Sequence, residues 1–140
     1  MKIIGDNGYI SLEIMYRENP AALDQDDAGW LRSSIEVEAG PFRGRFEFSM
    51  TQAETKVLHQ QLMLAIQSLR EEVRFRNMEE NLELVIRFET SGTAEVCGEI
   101  RPPRMQGNVL CYSFRTDPIS LERATAELGD ALGQLPALHS

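Results

Sequence analysis

Phe42-Arg43-Gly44-Arg45-Phe46-Glu47-Phe48-Ser49-Met50-Thr51-Gln52-Ala53-Glu54 changes its period part-way. Up to Met50 the residues alternate. Phe42, Phe46, Phe48 and Met50 fall on one side, and Arg43, Arg45, Glu47 and Ser49 on the other. That is the period of a strand with one face buried. At Thr51 the alternation stops. Thr51 and Glu54 have the spacing of a capping box, in which each side chain takes an amide donor that the first helical turn leaves free. Leu58, Leu62, Ala65, Ile66 and Leu69 follow at helical spacing, and the helix is expected to end near Arg70 to Val73. A strand therefore runs straight into a helix, and the domain must mix the two.

On the N-terminal side, Gly40-Pro41 separates this strand from one at about Trp30 to Ala39, whose Leu31, Ile35 and Val37 face away from Arg32, Glu36 and Glu38. So short a break makes a hairpin. Before it come a polar loop, Arg17 to Gly29, and a strand over Gly8 to Tyr16 with Ile10, Leu12, Ile14 and Tyr16 at a period of two. On the C-terminal side, Leu82 to Glu89 and Ala94 to Arg101 are strands that turn at Ser91-Gly92. Pro102-Pro103 stops the second, because proline brings no amide donor to a ladder. After Gly107-Asn108, Val109 to Thr116 returns with Leu110, Tyr112 and Phe114 inward. Asp117 caps a last helix with Pro118 at its first position, and Leu121, Ala124, Leu128, Leu132 and Leu135 form its apolar stripe. The expected fold is α+β: about six antiparallel strands in one sheet, in the order β-β-β-α-β-β-β-α, with two helices packed on one face. It is a single domain with its core over about residues 9–135.

Of the 140 residues, 42% are apolar and 26% charged, which suits a folded chain. The net charge of −8 repels phosphate backbones and anionic lipid, so neither a nucleic acid nor a membrane is an expected partner. No apolar run reaches the roughly 18 residues of a spanning helix. Met1 to Asp6 also lacks the apolar stretch of an export signal, so a cytoplasmic location is expected. Cys97 and Cys111 are too few for a disulfide framework or a four-cysteine metal site, and the alternation places them near each other on the outer face.

No residue pattern carries catalysis. His59 sits on a helix and His139 beside the last residue, and neither has a nucleophile and orienting group in a recognisable motif. Asp24-Gln25-Asp26-Asp27-Ala28-Gly29 is a poor calcium loop, with Ala28 at a ligand position and Ile35 where a bidentate acid is needed. No catalytic residue, cofactor or metal is expected. The outer face is the candidate site. Trp30, Arg32, Glu36, Arg45, Glu47, Arg87, Glu89, Glu99 and Arg115, with Val85 and Val109, mix an aromatic, arginines and acids as polar protein contacts do. The favoured reading is a non-enzymatic protein-binding module. The alternatives are an acidic dimer like a secretion chaperone, although such proteins usually open with a helix and this chain opens with a strand, and a small-ligand pocket between sheet and helices.

Several of these stretches together resemble the WapI-type bacterial immunity proteins. They are Trp30-Leu31, Ile35-Glu36-Val37, Gly40-Pro41-Phe42-Arg43-Gly44, Leu82-Glu83-Leu84, Gly98-Glu99, Asn108-Val109-Leu110, Tyr112-Ser113-Phe114 and Asp117 before the closing helix. The resemblance spans about residues 9–135 and contains no catalytic string. It implies a cytosolic protein that binds and blocks the toxic C-terminal domain of a cognate bacterial toxin. It carries over no fixed binding residues.

Overall fold

Thr51 and Glu54 form the capping box: Glu54 N donates to Thr51 Oγ1 at 3.1 Å, and Thr51 N to Glu54 Oε2 at 2.8 Å. The computed structural model that shows this describes residues 1–69, 71–104 and 107–136, apart from the side chains of Gln25 and Asp26. His139 and Arg70 lie outside the described residues. In chain order the elements are β1 (Lys2–Ile4), β2 (Gly8–Arg17), α1 (Gln25–Ala28), β3 (Trp30–Ala39), β4 (Phe42–Thr51), α2 (Gln52–Ser68), β5 (Val73–Arg76), β6 (Glu83–Phe88), β7 (Ala94–Ile100), β8 (Leu110–Thr116) and α3 (Pro118–Gly133).

The strands form two four-stranded antiparallel sheets, β1-β2-β3-β4 and β5-β6-β7-β8, rather than one sheet of about six. Two short strands account for the extra pair. β1 has three residues and β5 four, too few for an alternation to stand out. β5 also begins at Val73, where the helix was expected to end; α2 instead stops at Ser68, and Leu69 closes it in the left-handed region at φ 55°. Within each sheet, neighbours in space are neighbours in sequence. The 17-residue α2 then carries the chain away from β4, so β5 starts a new sheet instead of extending the old one.

One apolar cluster draws on both sheets and on α2 and α3. The helices pack on each other; α2 touches β4 and β5, one from each sheet, and α3 touches β1. They bridge the two sheets instead of covering one face of a single sheet. The sheets also meet directly, β8 against β2 and β3. Asp117 caps α3 by accepting from Ser120 N at 2.8 Å, as its sequence predicts.

The expected alternation of β2 fails at its end. A bulge between Ile14 and Tyr16 shifts the register against β3. Tyr16 is thereby 54% exposed, and Arg17 is buried in its place. The Arg17 guanidinium donates to Pro136 O at 2.7 Å, to Gln52 Oε1 at 2.7 Å and to Ala28 O at 3.3 Å. It ties β2, α1, α2 and the chain beyond α3 together. Phe42, expected inward, is 65% exposed at the start of β4, where the hairpin runs past the core.

Candidate partner-binding surface

Because there are two sheets, the nine expected surface residues lie on two faces. Trp30, Arg32, Glu36, Arg45 and Glu47 are on β3 and β4. Arg87, Glu99 and Arg115 are on β6, β7 and β8, with Glu89 just beyond β6. Register explains the pairing within each group. On the first sheet Glu36 stands opposite Arg45 and beside Arg43, whose Nη2 donates to it at 2.8 Å. Tyr9 OH donates to the same carboxylate oxygen. These hydrogen bonds, Tyr9 first and then Arg43, hold the Glu36 carboxyl below the usual carboxylate range. The Glu36 bond in turn raises the Tyr9 phenol above its ordinary value. Arg32 Nε donates to Glu47 Oε1 at 3.2 Å.

On the second sheet Arg87 lies between Glu72, at 3.2 Å, and Glu95, at 3.5 Å. Arg115 pairs with Glu89 at 2.9 Å, and Glu99 with Arg101 at 3.3 Å. Exposed pairs of this kind contribute about 0–1 kcal/mol each, so they order the surface more than they stabilise the fold. Val85, expected on the outer face, is only 5% exposed. It lies on an interior strand between Arg74 and Cys97, whose side chains share its face.

Four of the nine residues converge. Trp30, Arg32, Arg45 and Glu47 line an open cleft of about 1080 Å³. The opposite wall is Asn81 with Arg101-Pro102-Pro103-Arg104. That wall is built by Asn77, whose Oδ1 accepts from Asn81 N and Leu82 N, both at 2.9 Å. Asn81 Nδ2 then donates to Arg101 O at 3.0 Å, which fixes the start of the proline run. Among the described residues, Asp27, Glu79 and Arg104 at the cleft form no ion pair. The cleft thus presents charges of both signs around two aromatic rings, Trp30 and Phe46, and two prolines. In the sequence Arg101 reads as the end of a strand and Pro102-Pro103 as its stop, so nothing local marks them as a cleft wall; Pro102-Pro103, a rigid pair between two strands, is the available signal.

Other sequence candidates stand apart from the cleft. His59 packs between the helices, its Nε2 facing Gly129. Tyr16 is exposed and does not line the cleft. Cys97 lies opposite Ser113, and Cys111 opposite Glu99, so the thiols are diagonal neighbours on β7 and β8. Burial, with Glu95 adding to it, raises the Cys97 thiol above its ordinary value, the reverse of what a reactive thiolate needs. Among the described residues no group of three His, Cys, Asp or Glu side chains is placed to hold a metal ion. No helix among them is long and apolar enough to cross a membrane.

No curated protein and no solved structure matches the chain. Residues 2–136, nearly its whole length, match the model of the Immunity protein WapI-like family, and the chain belongs to that family.

Proposed function

We propose that this protein is a non-enzymatic, cytoplasmic immunity protein. It acts as a single domain that binds one toxin domain and blocks it by occlusion. Membership of an immunity family over residues 2–136 is the observation that carries this reading. The surface supports it. Trp and Arg dominate the energetics of protein contacts, and here Trp30, Arg32 and Arg45 gather at one cleft beside an extended polar sheet face. Arg87, Glu89, Glu99 and Arg115 form a second polar face that widens the contact or frames it.

The net charge of −8 favours a basic toxin domain, since opposite potentials speed encounter and disfavour wrong partners. The interior supports occlusion over turnover, because the layer between sheets and helices is an apolar cluster.

The experiment is co-expression with a cognate toxin domain. Cells that carry both should grow, and the two proteins should purify together in a one-to-one complex. Continued toxicity with full expression of this protein would remove the reading.

A further inference from the structure

The first sheet ends in an open edge. Gln52 N donates to Gly29 O at 2.8 Å, one step beyond the β3–β4 ladder, and this sets the phase of the ladder. Antiparallel residues point both backbone groups to the same side, alternately toward and away from the partner strand. Phe42, Gly44, Phe46, Phe48 and Met50 therefore bond to β3. The N–H and C=O groups of Arg43, Arg45, Glu47 and Ser49 point away from it. Thr51 fits the same phase: its N–H turns away from β3 to Glu54.

Among the described residues the backbones of Arg43, Arg45, Glu47 and Ser49 have no partner. The remaining edges are shorter. β1 and β5 are three and four residues long. On the seven-residue β8 the edge is interrupted at Arg115, where Asp6 N donates to Arg115 O at 2.9 Å and Arg115 N to Asp6 Oδ1 at 3.0 Å. β4 has ten residues, no internal proline and no register shift. A long, straight, unblunted edge is a template for another strand.

We infer that this edge pairs with the β4 edge of a second copy of the chain, in an antiparallel dimer with its two-fold axis at Phe46. Charge selects the occupant and the register. With the axis at residue 46, Arg45 stands opposite the second copy's Glu47 and Glu47 opposite its Arg45. Arg43 stands opposite its Ser49, whose hydroxyl donates to Glu18. Every free donor and acceptor of the four residues then finds a partner. An axis at residue 45 sets Arg45 against Arg45, an axis at 47 sets Glu47 against Glu47, and an axis at 44 sets Arg43 against Arg45. Like charges directly opposite destabilise a strand pair, so only the first register is favourable at all these positions. The side chains that would pair are open to each other: Arg45 is 69% and Glu47 49% exposed. The pairing joins two outer faces into one continuous sheet surface; it does not rest on the immunity reading, but it uses Arg45 and Glu47, which also line the cleft, so a second copy and a toxin domain would compete for this edge.

Sedimentation of the purified chain alone tests the proposal. The native protein should dimerise with rising concentration. Arg45→Glu and Glu47→Arg should each weaken association roughly tenfold or more, because each sets like charges opposite twice. The double exchange Arg45→Glu with Glu47→Arg restores complementarity and should restore the dimer. Arg45→Pro removes a free-edge donor without touching the β3 ladder, so it should give a monomer that melts like the native monomer. A native protein that stays monomeric throughout, or a dimer indifferent to both single exchanges, or a double exchange that fails to recover association, would overturn it.

Discussion

Gly44 on β4 lies so close to Leu110 on β8 that a Cβ there would stand 3.0 Å from Leu110 Cδ2 and 3.2 Å from Ile100 Cδ1. This is where the two sheets close on each other, and only a hydrogen fits without displacement. Both neighbours are side-chain tips that can give by a few tenths of an ångström. Gly44→Ala should therefore lose about 1 kcal/mol, and Gly44→Val about 1–3 kcal/mol, by overpacking. Leu110→Ala should recover part of the Gly44→Val loss in a double-mutant cycle followed by denaturant unfolding.

Gly98 is a stricter case. It sits on β7 at φ 151°, and a Cβ would lie 2.1 Å from the backbone oxygen of Glu83. The same oxygen accepts from Tyr112 OH at 2.6 Å, and burial holds that phenol well above its ordinary pKa. Backbone cannot give as a side-chain tip does. Gly98→Ala should lose about 3 kcal/mol or more through strain and the broken Tyr112 bond, read as a fall in the urea midpoint. Gly107, at φ 89° with nothing within 4 Å, is the control. Its change to Ala should lose only about 1 kcal/mol.

Arg17 should matter more than its sequence position suggests. Its guanidinium reaches three carbonyl oxygens from separate parts of the chain, and lysine cannot reproduce that fork. Arg17→Lys and Arg17→Met should each lose about 1–3 kcal/mol, since the buried Ala28 carbonyl and the part-buried bonds to Gln52 and Pro136 lose a charge-assisted donor. Hydrogen exchange should rise first near Ala28 and Gln52 if the guanidinium ties these segments down.

The Tyr9–Glu36–Arg43 cluster gives a pH dependence of known sign. Glu36 is held below its ordinary value, so its contribution is present above the unfolded carboxylate range and is lost as pH falls through the lower folded value. Tyr9 is raised, so its contribution is full below the ordinary phenol value and is lost as pH rises through the folded one. Tyr9→Phe removes the hydrogen bond that does most to hold the Glu36 carboxyl down. NMR titration of the Glu36 carboxyl should then move up toward the ordinary range, and an unmoved titration would show that Arg43 alone sets it.

The longest patterned elements were legible in the sequence. The β3–β4 hairpin, the Thr51 capping box, the Asp117 cap and the β7–β8 pair follow from alternation and turn residues that act over a few positions. β1 and β5 were not legible, because three or four residues cannot display a period. Missing them hid the division into two sheets. The bulge near Met15 was hidden too, since Tyr16 continues the apolar alternation in sequence while the register shift buries Arg17 instead. The charged faces were foreseen residue by residue, but not their division between sheets. The cleft wall at Asn81 and Arg101-Pro102-Pro103-Arg104 depends on an asparagine network and a loop meeting β4 across space, and no local pattern encodes that.

Binding to a cognate toxin domain, measured by calorimetry, tests the central claim most directly. One toxin domain should bind per chain. Trp30→Ala and Arg32→Glu should each weaken binding by about 2 kcal/mol or more, the loss expected at a contact centre, with the melting temperature of the free protein little changed. Full affinity in both variants, or no binding by the native protein, would contradict it.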